Sequence, residues 1–315
     1  MRRSLWAIAV AVLLVGAVAA VPSTQPAAAR PGWKLVWGDE FNGAELDRSK
    51  WDFDRGSFLA AGEQWLPGWG NNELEFYTSR PDNVFVSDGM LHLRAVKEAY
   101  KGSHYTSARI KTKGLFAKKY GRFEFRAKLP TGKGIWPAIW LLPEETKYGA
   151  WAASGEIDLM EARGQEPEKV LGTLHYGSRW PANTHTGKDY VLPNHGTIAD
   201  FHVYAMEWEP GEIRWYVDDQ IYQKQDFWWS CADTDGPKGV EPVNESELNA
   251  WPAPFDRPFY LTLNVAVGGI FLGNPDASTK FPVEMVLDYV RIYDKIDGYG
   301  PPKPRGPGKL PFDGR

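Results

Sequence analysis

FHVYAMEWEPGEIRWYVDDQIY, residues 201–222, decides the fold class. Two runs of aromatic and β-branched residues flank Pro210–Gly211, and together they read as a β-hairpin. Asp218–Asp219 marks a second tight turn at its far end. Outward from this segment the same grammar repeats. YGRFEFRAKL (120–129) sets Phe123, Phe125 and Ala127 against Arg122, Glu124, Arg126 and Lys128, the alternation of a half-buried strand. FYLTLNVAV (259–267) and MVLDYVRIYD (285–294) are further strands, and helical periodicity is poor almost everywhere. Many short strands separated by Gly and Pro turns predict an all-β fold, a β-jelly-roll sandwich of two antiparallel sheets. The concave sheet face of such a sandwich suits a long polymer laid across it.

Composition narrows the partners. The 315-residue chain is 43% hydrophobic and carries 15 Trp, 14 Tyr and 15 Phe, more aromatic surface than a core needs. Its net charge of −4 argues against a nucleic-acid partner, which calls for a basic stripe. A neutral substrate is the simpler fit. Residues 1–29 read as a secretory signal peptide: Arg2–Arg3, an apolar run from Leu5 to about Ala20, then small residues, with cleavage after Ala20 or Ala29. The arginine pair permits twin-arginine export. The expectation is a secreted, extracellular monomer, free of the membrane once the signal is cleaved. Cys231 is the single cysteine, so no internal disulfide supports the exported fold. Residues 32–295 show no linker-like break and read as one domain. Residues 296–315, rich in Pro and Gly, read as a disordered tail or linker stub.

GEIDLMEARG (155–164) carries the chemistry. Glu156, Asp158 and Glu161 lie within six residues. Strand parity puts Glu156 and Asp158 on one face and Glu161 on the other. A β-bulge near Leu159–Met160 absorbs one residue and returns Glu161 to the face of the first two. Four residues of strand cover about 13 Å, and two glutamates leaning together close much of that distance. A pair about 5 to 5.5 Å apart is the machinery of a retaining glycosidase. Asp158, between them, can hydrogen-bond one glutamate, and crowding raises carboxyl pKa values. A solvated strand face with its charges on arginines is the plainer alternative.

With its flanks GIWPAIWLLP (134–143) and GTLHYG (172–177), the segment resembles glycoside hydrolase family 16, specifically its laminarinase-like endo-β-1,3-glucanases. The similarity runs from LVWGDEFNG (35–43) to LDYVRIYD (287–294). It implies a jelly roll with a substrate cleft on the concave face, and retaining hydrolysis of β-glucan without an organic cofactor. Glu156 matches the nucleophile, Asp158 its assistant and Glu161 the acid/base. Mixed-linkage β-1,3-1,4-glucanase is the nearest alternative, although the common bacterial forms look unbulged. Other polysaccharide hydrolases of the fold, a transglycosylase and a non-catalytic glucan-binding module complete the alternatives; the module loses the glutamates that are present here.

Further candidates surround the acids. Trp136 and Trp140, four apart on one side of a strand, are either core or sugar-stacking walls. The resemblance favours walls, with Ala138 packing inward. Asn71, in WGNNELEFYT (69–78), sits in an Asx turn or meets vicinal hydroxyls. Arg109, in YTSARIKTKG (105–114), resembles a family arginine of a negative subsite, with a salt bridge to a cleft acid as its other role. His175 matches a cleft residue, though an isolated histidine is more often structural. The insert 226–256 brings Trp228, Trp229 and Trp251, which either wall the cleft or pack on one another. No His/Cys cluster suggests zinc. The resemblance implies one structural Ca²⁺ away from the cleft, held by the carbonyls of Glu40 and Gly89 and the side chain of Asp288.

Overall fold

The computed structural model describes residues 30–61, 64–231 and 239–313, so the signal segment lies outside the described residues. The first strands are β1 (Trp33–Asp39), β2 (Asp52–Asp54), β3 (Phe58–Ala61), β4 (Gln64–Pro67), β5 (Glu75–Tyr77), β6 (Val84–Ser87) and β7 (Met90–Tyr100). Then come β8 (Ser103–Ser107), β9 (Arg109–Lys111), β10 (Ala117–Lys118), β11 (Gly121–Lys128), β12 (Ile135–Pro143), β13 (Glu156–Glu161) and β14 (Lys169–Gly177). The last are β15 (Asn183–Val191), β16 (His202–Glu209), β17 (Glu212–Val217), β18 (Gln220–Gln225), β19 (Phe259–Val267) and β20 (Val283–Lys295).

These strands make an all-β jelly-roll sandwich. The front sheet runs β15-β14-β13-β12-β19-β9-β2, with β10 on β19. The back sheet runs β18-β17-β16-β11-β20-β7-β8-β5, with β1 on β20 and β6 on β7. Pairing is antiparallel except between β5 and β8. β3 and β4 form a separate hairpin.

The deciding segment folds as its pattern requires. β16 and β17 pair from Tyr204–Val217 to Glu209–Glu212 around Pro210–Gly211. Asp218 and Asp219 both adopt positive φ, 48° and 63°, which turns the chain tightly into β18. Inward residues of the two sheets meet in one core. Phe123, Phe125 and Ala127 of β11 face Ile135, Ile139 and Leu141 of β12 and Leu261, Leu263 and Val265 of β19.

Two expectations are corrected and one pair of alternatives is decided. The first half of β11 is buried on both faces: Arg122 and Glu124 are each 2% exposed because Arg30, Glu207, Asp219 and Tyr289 cover them with ion pairs and hydrogen bonds, whereas Arg126 and Lys128 stay half-buried. A strand face can therefore be polar and buried when its charges are paired. The segment after residue 295 is not a loose tail up to Asp313. Lys303 N donates to Pro210 O (3.0 Å), Gly306 N to Asp226 O (2.7 Å) and Trp251 Nε1 to Lys303 O (2.7 Å). A Pro-rich chain that cannot build a ladder of its own takes its partners from the β16–β17 turn and the insert. The insert packs on itself and the sandwich. Trp228 is fully buried, its ring 4.7 Å from Trp251 and 5.2 Å from Phe255, and its Nε1 donates to Pro252 O at 2.9 Å. Trp229 is buried beside Tyr176, and neither indole lines the outer face of the front sheet.

Candidate active site

The acid strand carries the bulge. On the β12 side Asp158 opposes Trp140 and Met160 opposes Ile139, which skips Leu159. On the β14 side Asp158 opposes Thr173 and Glu161 opposes Leu171, so Leu159 and Met160 share Gly172 as their partner. Leu159 and Met160 both join the core, 2% and 1% exposed. Glu161 returns to the face of Glu156 and Asp158.

The other sheet holds this kink in place. Trp215 of β17 donates its Nε1–H to the carbonyl of Asp158 at 2.9 Å, so the backbone disturbed by the bulge keeps a partner. That approach needs Gly172: a Cβ there would stand 2.5 Å from the Trp215 ring and 2.8 Å from the Tyr222 hydroxyl.

Each acid has a distinct set of neighbours. Glu156 Oε2 accepts from Trp151 Nε1 at 2.6 Å. Asp158 Oδ2 stands 3.3 Å from His175 Nε2, and His175 is the residue opposite Glu156 in β14. Glu161 Oε1 accepts from Trp136 Nε1 at 2.9 Å. Burial, then the charge of Asp158, pushes Glu161 up to about 8. Burial, then the charge of Glu156, pushes Asp158 up to about 7, and a hydrogen bond between the two favours the proton on Asp158 and the charge on Glu156. Burial also raises Glu156, against the pull of His175 and the Trp151 indole. For His175 burial acts downward, but Asp158 outweighs it and carries the imidazole up to about 9. The cluster thus pairs one ionised carboxylate with a neighbouring acid that keeps its proton near neutral pH.

Trp136, Ala138 and Trp140 share the outer face of β12. The expectation for Ala138 is corrected: it is buried between the two indoles and opposite Glu161 and Asn264, because the core-facing places belong to Ile135, Ile139 and Leu141. Trp136 packs against Phe271 with rings 4.8 Å apart, and Trp140 Nε1 donates to Asn264 Oδ1 at 2.7 Å. Arg109 lies between the Trp69 and Trp140 rings, 4.6 and 4.7 Å from their centroids. Its salt bridge is to Asp54 at 3.0 Å and not to the acid cluster. Asn71 donates Nδ2–H to Glu73 Oε1 at 3.0 Å, and its carbonyl accepts from Ile270 N at 2.8 Å. Bridged loop contacts such as Glu73 with Gly268 place it beside Trp136 and Gly269. The front sheet thus brings Asn71, Arg109, Trp136, Trp140 and His175 to the face that carries the acids.

Sequence reasoning missed Trp151, Asn264, Asp54 and His185. Asn264 carried a signal, a lone amide in the apolar run FYLTLNVAV on the parity of Thr262. Trp151 carried none, since it comes from a loop outside strand parity. His185 faces His175 across β14–β15 with rings 5.5 Å apart.

Two groups could hold a cation. Glu156, Asp158 and His175 bring ligand atoms within 4.8 Å of one another, although a metal there would compete with the proton on His175. On the back sheet, β1 leaves β20 at Asp39–Val290 and β7 joins it at Leu91–Leu287. Asp288 stands in that gap, with Glu40 and Gly89 next to the ends of the two strands. Arg126 Nη1 donates to Asp288 Oδ2 at 2.6 Å, and Arg291 occupies the Glu40 carboxylate at 2.7 and 2.8 Å. One buried carboxylate and two carbonyls fit a hard cation, with Arg126 sharing the carboxylate.

The model of Glycosyl hydrolases family 16 matches residues 71–228. Glucan endo-1,3-beta-glucosidase A1 of Niallia circulans is 46% identical over 282 residues, which are 86% of this chain and 39% of that protein's length. A beta-glucanase of Rhodothermus marinus is 42% identical over 273 residues, 85% of this chain and 87% of its own. The laminarinase catalytic domain of Thermotoga maritima MSB8 superposes with a TM-score of 0.69 at 41% identity, covering 83% of this chain and 98% of that one.

Proposed function

The chain belongs to glycosyl hydrolase family 16, and on that footing we propose that it is an endo-acting β-1,3-glucanase that cleaves laminarin-type glucans with retention of anomeric configuration. The observation that carries this reading is the bulge at Leu159–Met160, which sets Glu156 and Glu161 on one face with different neighbours. Glu156 attacks the anomeric carbon, and Glu161 gives its proton to the departing glycosidic oxygen. A glycosyl ester on Glu156 results. Glu161, now ionised, takes a proton from water as that water attacks the same carbon and frees Glu156. The hydrogen bond from Asp158 holds Glu156 in orientation and spreads its charge. His175, cationic beside Asp158, offsets the negative charge of the cluster.

The sugar chain crosses the strands of the front sheet. Trp136 and Trp140 offer flat apolar rings to its pyranose faces, Asn71 offers a polar group to its hydroxyls, and Arg109 does so at a negative subsite. Two carboxyl groups and water suffice for the chemistry, so no organic cofactor is required. A Ca²⁺ bound through Asp288 and the carbonyls of Glu40 and Gly89 would tie β1, β7 and β20 together and take no part in turnover. The basic and apolar start of the sequence supports export, and we propose that the enzyme works outside the cell as a monomer.

Reducing-sugar release from laminarin tests the assignment. Glu156→Gln should abolish turnover while laminari-oligosaccharide binding persists. Products should first appear as the β-anomer in the proton NMR spectrum. Inverted products, or a Glu156→Gln variant as active as the parent, refute the mechanism. Side-by-side profiling on laminarin, curdlan, barley mixed-linkage glucan and agarose tests the linkage.

A further inference from the structure

Beneath the Asn71 end of the site lies a second pair of carboxyl groups that the hydrolytic steps do not use. Glu75, in β5, is fully buried. Its Oε2 accepts from Val267 N at 2.7 Å. Its Oε1 makes no hydrogen bond among the described residues. The Glu75 carboxyl lies against that of Glu73. Two ionised carboxylates in buried contact repel strongly, and Glu75 Oε1 would bear that repulsion without a hydrogen bond of its own. One proton between them satisfies both. We propose that Glu75 is a buried carboxylic acid sharing one proton with Glu73, and that the pair is a positioning device for the glucan-binding wall.

Glu73 is where the device touches the wall. Its Oε1 accepts from Asn71 Nδ2 at 3.0 Å and its Oε2 from Tyr77 Oη at 3.1 Å. The Tyr77 hydroxyl in turn accepts from Asn264 Nδ2 at 3.1 Å, and Asn264 Oδ1 accepts from Trp140 Nε1 at 2.7 Å. Both branches end on residues that line the proposed sugar path. The titratable groups facing the pair are Tyr77 and, beyond it, Arg109, whose charge is held by Asp54. Burial first, then the charge of Glu73, keeps the Glu75 proton in place well above the usual carboxylate range. A neutral Glu75 donates to Glu73 and accepts from Val267 N, which is what a glutamine amide would also do. The positioning role rests on the glucanase reading; the shared proton does not.

The test uses Glu75→Gln and Glu75→Leu, each made in the inactive Glu156→Gln protein so that laminaritetraose binds without turnover. Glu75→Gln should bind within about twofold of the parent, and Glu75→Leu about tenfold more weakly. The parent should lose affinity as pH rises into the alkaline range, while Glu75→Gln holds. The infrared difference between parent and Glu75→Gln should contain a protonated-carboxyl C=O band at neutral pH. The Trp140 indole N–H resonance should move in Glu75→Leu and stay in Glu75→Gln. Absence of the band overturns the shared proton. Equal damage from both substitutions, or none from Glu75→Leu, overturns the positioning role. If Glu75→Leu does not fold, the band and the pH response of Glu75→Gln decide. If laminaritetraose binds none of the proteins, the glucanase reading fails, and the band and the Trp140 resonance still judge the pair.

Discussion

Glu156, Asp158 and Glu161 on the front sheet and Glu207, Glu209 and Glu212 on the back sheet are two clusters of the same chemistry in opposite surroundings. At the back, Arg214 reaches all three glutamates: Glu207 at 2.9 Å, Glu209 at 2.5 Å, and Glu212 in a further close contact. Lys295 and Lys303 add contacts to Glu209 and Glu212 at 3.1 and 2.6 Å. Burial acts to raise Glu209 and Glu212, but Arg214 and the lysines outweigh it and hold both below the usual carboxylate range. At the front, no guanidinium pairs with the acids among the described residues. Neutral indoles and one histidine take that place, and all three carboxyls are raised. A paired acid is fixed as an anion and serves the fold. An acid given only a neutral donor in a buried place keeps its proton within reach of catalysis.

The contrast is broken most severely at Glu161. Glu161→Gln should lower kcat on laminarin by about 10²–10⁴, and the alkaline limb of the pH profile near 8 should vanish. The same variant should gain stability in one pH range only. Glu161 binds its proton more tightly folded than unfolded, so the native state holds the extra proton between about pH 4.5 and 8. Stability therefore falls as pH rises through that window. Gln does not titrate, so its Tm advantage should be absent at pH 4 and grow to several degrees at pH 8. An advantage that is equal at both pH values would show that Glu161 is not raised. Arg214→Leu should do the reverse. Three partly buried glutamates lose their common cation, and unfolding should become easier by about 2–4 kcal/mol. A Tm lower by about 5–10 °C with unchanged kcat at 25 °C would sustain the contrast, and a loss of kcat in the folded protein would blur it.

How much of this was legible in the sequence follows from what each signal encodes. Strand alternation in 120–129 and the Pro210–Gly211 turn encode local geometry, and the back sheet contains both as neighbouring strands. The bulge was legible because three acids at i, i+2 and i+5 conflict with parity, and only an extra residue resolves the conflict. Contacts across elements were not legible. Nothing near Trp151 announces that its indole meets Glu156, and nothing in the spacing of Arg109 selects Asp54 over the cleft acids. Ala138 was misplaced although its parity with Trp136 and Trp140 was plain: residue type does not assign a strand face, and register does. The Pro-rich segment after residue 295 misled for a related reason. Composition reports that a segment builds no ladder of its own, and is silent on whether a neighbour will accept its backbone.

The finest probe of the contrast is the indole that stands where an arginine stands at the back. Trp136 gives Glu161 one hydrogen bond at 2.9 Å, and that bond favours the ionised form, so it lowers the pKa against the larger upward effect of burial. Trp136→Phe keeps a ring against Phe271 and removes only the donor. Glu161 should then hold its proton more firmly, and the alkaline limb of kcat should move upward by a fraction of a pH unit. The sign is the informative part. An upward movement means that the indole had been supplying a weak version of what Arg214 supplies to Glu207 and its neighbours. A downward movement would mean that the indole was shielding the acid from water more than bonding it. Neutral donors would then have no part in separating the two clusters, and burial alone would have to explain the front one.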